Sequence, residues 1–358
     1  MTKVEAQAVG SEFQINTYTT SDQRHPSVAS LNDGGFVVTW ESLGQDGDSY
    51  GVYGQRYDSS GVKSGLEFQV NTYTTSDQRY PSVAPLNDGG FVVIWQSSGQ
   101  DGDFNGVYGQ RYASTSVKSK VEFQINTYTT SNQGFPSVAL LNDGGFVVTW
   151  ASDGQDGSSS GGYGQRYAST GLKSGLEFQV NTYTTSNQDF PSVAPLNDGG
   201  CVVTWGSSGQ DGDFYGVYGQ RYDSTGVKSG LEFQVNTYTT SDQRYPTVAP
   251  LNDGGFVVTW YSLGQDGDSH GVYGQRYASS TGVKSGVEFQ VNTYTTSYQD
   301  FPSVAGLSDG GFVVTWHSDD QDGSSYGIYG QRYDSNGNPI ELILSNATNT
   351  TSTLLSTP

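Results

Sequence analysis

Apolar and polar residues alternate with a period of two in short bursts along this chain, and the bursts recur. Between Glu67 and Val121, four strand-length segments, EFQVNT, PSVAPL, GFVVIWQS and GVYGQRYAS, are separated by turn-forming residues. In Phe91-Val-Val-Ile-Trp95 the alternation puts Phe91, Val93 and Trp95 on one face, and in the first segment Phe68 and Val70 share a face. Asn87-Asp88-Gly89-Gly90 predicts a tight hairpin between the second and third segments, because glycine accepts positive φ without steric cost. The other connections are short and polar, so the four strands should form one antiparallel meander.

This unit occurs six times. Trp40, Trp95, Trp150, Trp205, Trp260 and Trp316 mark the copies, spaced 55 residues apart four times and then 56. A four-stranded sheet of this size cannot bury both faces alone, whereas six stacked radially about an axis can. The expected fold is therefore all-β, a six-bladed β-propeller of four-stranded antiparallel blades. Residues 1–10 form an N-terminal extension, 11–339 the propeller, and 340–358 a C-terminal strand with a Thr-rich tail. Closure of the ring falls to the N-terminal EFQINT segment, Glu12 to Thr17, or to a strand over Ile340 to Ser345. With PSVAPL innermost and EFQVNT outermost, the loop after each Trp and the NTYTTSDQRYP loop share one face. There the copies differ: Glu41, Gln96, Ala151, Gly206, Tyr261 and His317 follow the Trp residues, and Arg24-His25, Arg79-Tyr80, Gly134-Phe135, Asp189-Phe190, Arg244-Tyr245 and Asp300-Phe301 end the second loop.

Composition narrows the function classes. With 49 Gly and 33% hydrophobic residues the chain is too turn-rich for a helical bundle, while 13% aromatics is too many for a disordered chain. A net charge of −20 repels a phosphate backbone, which excludes nucleic acid as a partner. The lone Cys201 stands where the other copies have Phe and reads as a core residue. No run of about 18 apolar residues marks a membrane span, and the first residues lack the basic and apolar regions of a secretory signal.

The most suggestive chemistry is the Gln-Asp-Gly of every copy, with Asp46, Asp101, Asp156, Asp211, Asp266 and Asp322 at one loop position. Asp48, Asp103, Asp213 and Asp268 add a second carboxylate two residues on, and Asp153 and Asp319 supply it just upstream in the other copies. Oxygen-rich loops containing a turn glycine suit Ca²⁺, although solvated Asp-Gly turns account for the same residues. Arg56, Arg111, Arg166, Arg221, Arg276 and Arg332 sit mid-strand in GQRY, where a structural carboxylate partner from the NDGG or Gln-Asp-Gly turns is expected. Tyr50, Tyr80, Phe104, Phe190, Phe214, Tyr215, Tyr245 and Tyr326 lie on the variable face among planar polar residues, a combination that binds sugar rings. His25, His270 and His317 occupy three different loop positions and predict no zinc cluster. Catalysis needs a unique, asymmetric constellation, and six near-copies of one loop suggest none.

FQVNTYTT, PSVAPLNDGGFVVIW and GQDGDFNGVYGQRY resemble repeats of large secreted or surface proteins of bacteria, found near calcium-binding and adhesion modules, and resemble highly repetitive β-propellers with one amplified blade. The resemblance spans residues 11 to 334 and implies an extracellular or cell-surface setting, reached without a visible N-terminal signal, which suits an isoelectric point of about 4.2. LNDGGFVVTW is also similar to the Asp-box of sialidase-like propellers, but its Trp falls seven residues after Asp rather than about five, which argues against sialidase chemistry. The resulting expectation is a non-enzymatic extracellular binding module, its loops organised by calcium, presenting a multivalent face to glycans or a cell surface. The alternative is a self-assembling subunit of a filament, sheath or matrix, whose partners are copies of itself.

Overall fold

The computed structural model describes residues 13–278 and 282–340, and every regular element among them is a β-strand. Blade 1 comprises β1 (Gln23–Ser30), β2 (Phe36–Leu43), β3 (Tyr50–Tyr57) and β4 (Phe68–Gln69), hydrogen-bonded in that order and antiparallel throughout. Five further four-stranded sheets repeat the pattern, beginning at Gln78, Gln133, Gln188, Gln243 and Gln299. The first strands of all six blades line the axis, as the two axial cavities show. This is the six-bladed β-propeller the repeat predicts. The proposed N-terminal extension and all but Ile340 of the C-terminal tail lie outside the described residues.

Each second strand is sandwiched, so both of its faces are apolar. Phe91, Val93 and Trp95 pack against Ala29, Leu31, Val37, Val52 and Val70 of blade 1, whereas Val92 and Ile94 pack against blade 3. All five residues from Phe91 to Trp95 have zero exposure, and burial of each such side chain stabilises by roughly 1.5–3 kcal/mol. Cys201 takes the Phe91 position in blade 4, where burial pushes its thiol up to about 12.

The NDGG turn shows why both glycines are needed. Gly89 has φ of +82°, and a Cβ on Gly90 would come within 2.0 Å of the Tyr112 carbonyl oxygen. Asp88 caps the turn through Gly90 N–H at 3.0 Å and accepts a hydrogen bond from Arg111 at 3.1 Å. The other five GQRY arginines pair likewise with Asp33, Asp143, Asp198, Asp253 and Asp309 of the hairpins.

The boundary between blades 6 and 1, a seam, is unlike the other five. Ile328 is 69% exposed where Val52, Val107, Val217 and Val272 are fully buried. The fourth strand of blade 6 is begun by Pro339–Ile340, pairing with Tyr333 and Arg332, and the proposed closing strand beyond Ile340 lies outside the described residues. The N-terminal segment instead lies on blade 1: Lys63 Nζ donates to the Ile15 carbonyl at 2.9 Å, as Lys173 does to Ile125 within the ring.

Candidate functional site

Each first strand opens with a bulge. Opposite β2 the register slips between Arg24 and Ser27, and the residues spanning the slip are an aromatic side chain and a proline. His25, Tyr80, Phe135, Phe190, Tyr245 and Phe301 accordingly take φ of 50°, 55°, 53°, 54°, 51° and 47°, left-handed backbone that bulky residues rarely adopt. Such conformations cost about 1–3 kcal/mol each and persist only where surroundings enforce them. The enforced geometry turns six rings toward the axis. Successive centroids lie 4.7, 4.9, 4.5, 4.1 and 4.8 Å apart, forming a collar round a cavity of about 350 Å³. At the seam the space between Phe301 and His25 widens into a cavity of about 680 Å³ that reaches Trp316 and His317.

Behind the collar the register sets the variable positions opposite one another: Glu41 faces Arg24, Gly206 faces Asp189, and His317 faces Asp300. Three carboxyl groups that only some copies carry result, one between each alternate pair of blades. Glu41, fully buried, accepts from Arg79 Nη2 at 3.1 Å, Arg79 Nε at 3.3 Å and Tyr80 N–H at 3.0 Å, with His25 Nδ1 at 2.9 Å. Burial alone would raise its pKa, but these donors outweigh that and hold it below the usual value. Asp300, 8% exposed, lies 3.7 Å from His270 Nδ1 and 3.9 Å from His317 Nδ1. Asp189 accepts from the Tyr215 hydroxyl at 3.1 Å, and Arg244 covers that tyrosine ring at 3.9 Å. Burial pushes Asp189 upward, the nearby Asp153 charge adds to the effect, and Tyr215 and Arg244 only partly offset it.

Blade 3 opens a cleft beside Asp189 by omitting side chains. Gly134 replaces the Arg or Asp of every other copy, and the small Ala151 follows its Trp. The resulting cavity, about 460 Å³, extends from the Tyr80 and Phe135 rings outward to Arg79, Asn105, Asp153 and Asp189. Asn105 donates to Asn132 at 2.8 Å and Asn132 to Asp153 at 3.1 Å, so a chain of amides holds the Asp153 carboxylate at the cleft wall. One partly buried carboxyl whose pKa burial raises and one hydrogen-bonded carboxylate in a single polar cleft can transfer a proton and act as base or nucleophile.

The other residues singled out in the sequence are placed as follows. Tyr80, Phe190 and Tyr245 belong to the collar, Tyr50 and Tyr215 lie beneath Arg79 and Arg244, and Phe104, Phe214 and Tyr326 are exposed further out. The Gln-Asp-Gly carboxylates staple loops together. Asp46 and its counterparts Asp101, Asp156, Asp211 and Asp266 accept from a fourth-strand Gln at 3.0–3.3 Å. Asp48, Asp103, Asp213 and Asp268 accept from a serine N–H of the next blade at 2.9–3.2 Å. Asp322 caps Ser324 N–H at 3.1 Å and Asp319 accepts from Ser297 Oγ at 2.7 Å. Among the described residues no group of three His, Cys, Asp or Glu is placed to hold a metal. Glu41, Asp189 and Asp300, with His25, Phe135 and Phe301, were not singled out as functional from sequence. Their signal was the disagreement among copies at two loop positions.

No family model and no curated protein matches the chain. Solved structures do. A protein of unknown function from Dyadobacter fermentans is 11% identical with a TM-score of 0.62, covering 87% of this chain and 94% of its own. An α-L-arabinanase of Penicillium chrysogenum, solved with arabinobiose, is 15% identical at a TM-score of 0.57 (89% and 95% covered). An α-L-arabinofuranosidase mutant of Fusarium graminearum, solved with an iminosugar inhibitor, is 14% identical at 0.56 (89% and 94%). The expectation of a non-enzymatic binding or self-assembling module is corrected here. It rested on there being no unique acid near the axis, yet the fold gathers Glu41, Asp189 and Asp300 there, and propellers similar to this one include glycoside hydrolases. At these identities the likeness itself establishes the fold, a six-bladed β-propeller.

Proposed function

We propose that this protein hydrolyses glycosidic bonds at the blade 3 cleft, with Asp189 as general acid and Asp153 as its partner carboxylate. The observation that carries this reading is the cleft, because the small residues Gly134 and Ala151 leave both carboxyl groups and two aromatic rings lining one accessible space. Asp189 donates its proton to the departing glycosidic oxygen as the bond from the anomeric carbon to that oxygen breaks. Asp153 either takes a proton from the attacking water or adds to the anomeric carbon, to be displaced by water in a second step for which Asp189 acts as base. In both cases one water is consumed and the sugar gains its hydroxyl; in the second route Asp189 regains its proton from the water, and in the first the proton left on Asp153 returns to Asp189 through solvent. Tyr80 and Phe135 offer ring faces to the apolar C–H side of a sugar.

Glycan as the ligand class is retained from the sequence reading, with an extracellular setting proposed alongside it. Calcium is also a proposal, supported by the paired carboxylates of the Gln-Asp-Gly loops. An upward melting shift with millimolar Ca²⁺ but not Mg²⁺, reversed by chelator, is its expected signature. The hydrolytic reading is tested by reducing-sugar release from arabinan, xylan and related polysaccharides. Release that Asp189→Asn abolishes is expected, and no release from any glycan would overturn it. The anomer released first, read by NMR, distinguishes the two roles of Asp153.

A further inference from the structure

The charges of the blade 3 cleft point to its substrate class. We infer that it takes an uncharged glycan and rejects sugars bearing carboxylates, an inference that rests on the hydrolytic reading above. Asp77 and Asp153 line the cleft beside the acid Asp189, against one cationic side chain, Arg79. That guanidinium is already engaged: it donates twice to the buried Glu41 carboxylate, at 3.1 and 3.3 Å, and lies over the Tyr50 ring at 4.4 Å. A substrate carboxylate reaching Arg79 would therefore have to share one cation with a fully buried anion that already holds it. Arg244, the nearest guanidinium on the far side of Asp189, is held over Tyr215 at 3.9 Å. With no free cation lining the cleft and a net charge of −20 on the chain, the local field opposes an approaching anion.

The remaining polar groups match hydroxyls instead. In the chain from Asn105 to Asn132 to Asp153, each amide uses one N–H within the wall, leaving the second N–H and the Asn105 carbonyl oxygen to meet sugar hydroxyls. Gln96 presents another amide at the cleft edge, its Oε1 filling the space where a Cβ on Gly134 would lie, only 2.1 Å away. Planar amides that donate and accept, beside the Tyr80 and Phe135 rings 4.9 Å apart, suit a neutral ring with vicinal hydroxyls.

The test uses the full chain carrying Asp189→Asn, so that binding is measured without turnover. Calorimetry is run with neutral arabino- and xylo-oligosaccharides and with uronate- or sialate-bearing oligosaccharides of equal length, at low salt and at about 0.5 M salt. We expect the neutral series to bind at least about tenfold more tightly at low salt, the gap to narrow at high salt, and binding to vanish when Gly134→Arg is added. Acidic oligosaccharides that bind equally or more tightly, and are also lost with Gly134→Arg, would overturn the charge inference and leave the hydrolytic reading standing. Binding of neither series would overturn both.

Discussion

Arg79, on the first strand of blade 2, reaches back across the blade boundary to Glu41 of blade 1 and closes on its fully buried carboxylate at 3.1 Å. The same carboxylate accepts from Tyr80 N–H, the backbone of a collar residue held at φ of 55°. A single buried anion thus fixes both a strained ring and the cation beside the cleft.

Replacing Glu41 by Gln should therefore weaken the fold. Removing one member of a buried ion pair costs about 3–5 kcal/mol, and with Arg79 25% and His25 46% exposed the lower end of that range applies. The folded pKa of Glu41 lies below its ordinary 4.5, so its contribution is present above about that pH and is lost as pH falls through the lowered value. Melting curves of wild type and Glu41→Gln should differ most at neutral pH and converge in acid.

Asp189→Asn should do the opposite to stability while removing function. The folded pKa of Asp189 is raised above its ordinary 3.8 by burial, so the neutral form is the one the fold favours. That preference stabilises below 3.8 and is lost as pH rises through the raised value. The variant should match wild type in melting temperature at acid pH and exceed it at pH 7, while hydrolysis falls about 10²–10⁴-fold. Wild-type activity should decline as pH rises through the Asp189 pKa, and a variant less stable than wild type at pH 7 would contradict the assignment.

The blade was legible in the sequence because its determinants are local. Alternation fixes which of Phe91 to Trp95 face each neighbour, and Gly89 and Gly90 fix the hairpin. The NDGG aspartates that pair with the GQRY arginines are also only 23 residues away in sequence. The site was hidden for a different reason. Glu41 meets Arg79 from 38 residues away, across two different sheets, and no other copy has a glutamate at the position of Glu41. The collar depends on left-handed φ at a residue preceding proline, a conformation that local preference disfavours and only the bulge enforces.

The repeats provide an internal control for the cleft. Arg24, Arg79 and Arg244 show that an arginine is accommodated at the position of Gly134, and the atoms nearest to a Cβ there belong to the movable end of Gln96. Gly134→Arg should fold with a melting temperature within a few degrees of wild type yet lose hydrolysis by at least about 100-fold, since the arginine fills the space beside Asp189. Retained activity would place the chemistry elsewhere.

The seam carries the last prediction. In blade 1 the Phe68 ring lies over Gly54, and Asn71 Oδ1 accepts from Val52 N–H at 2.8 Å. The same two contacts recur in each of blades 2 to 5. Their counterparts in blade 6 are Gly330 and Ile328, over which no phenylalanine ring lies among the described residues. Phe13 and Asn16 bear the matching side chains, and Asn16 already makes the other two bonds of its repeat, to the Tyr18 carbonyl at 2.7 Å and Gln23 at 3.1 Å. Residues 13–16 should therefore seat on the third strand of blade 6, Tyr326–Tyr333, in the register of Gln69 opposite Tyr53. A Gln14→Cys, Tyr329→Cys pair should then form a disulfide within one chain, undisturbed by the buried Cys201, and should raise stability by about 2–4 kcal/mol. The ring is closed by another strand if the pair stays reduced under oxidation, and by a neighbouring molecule if the bond forms only between chains.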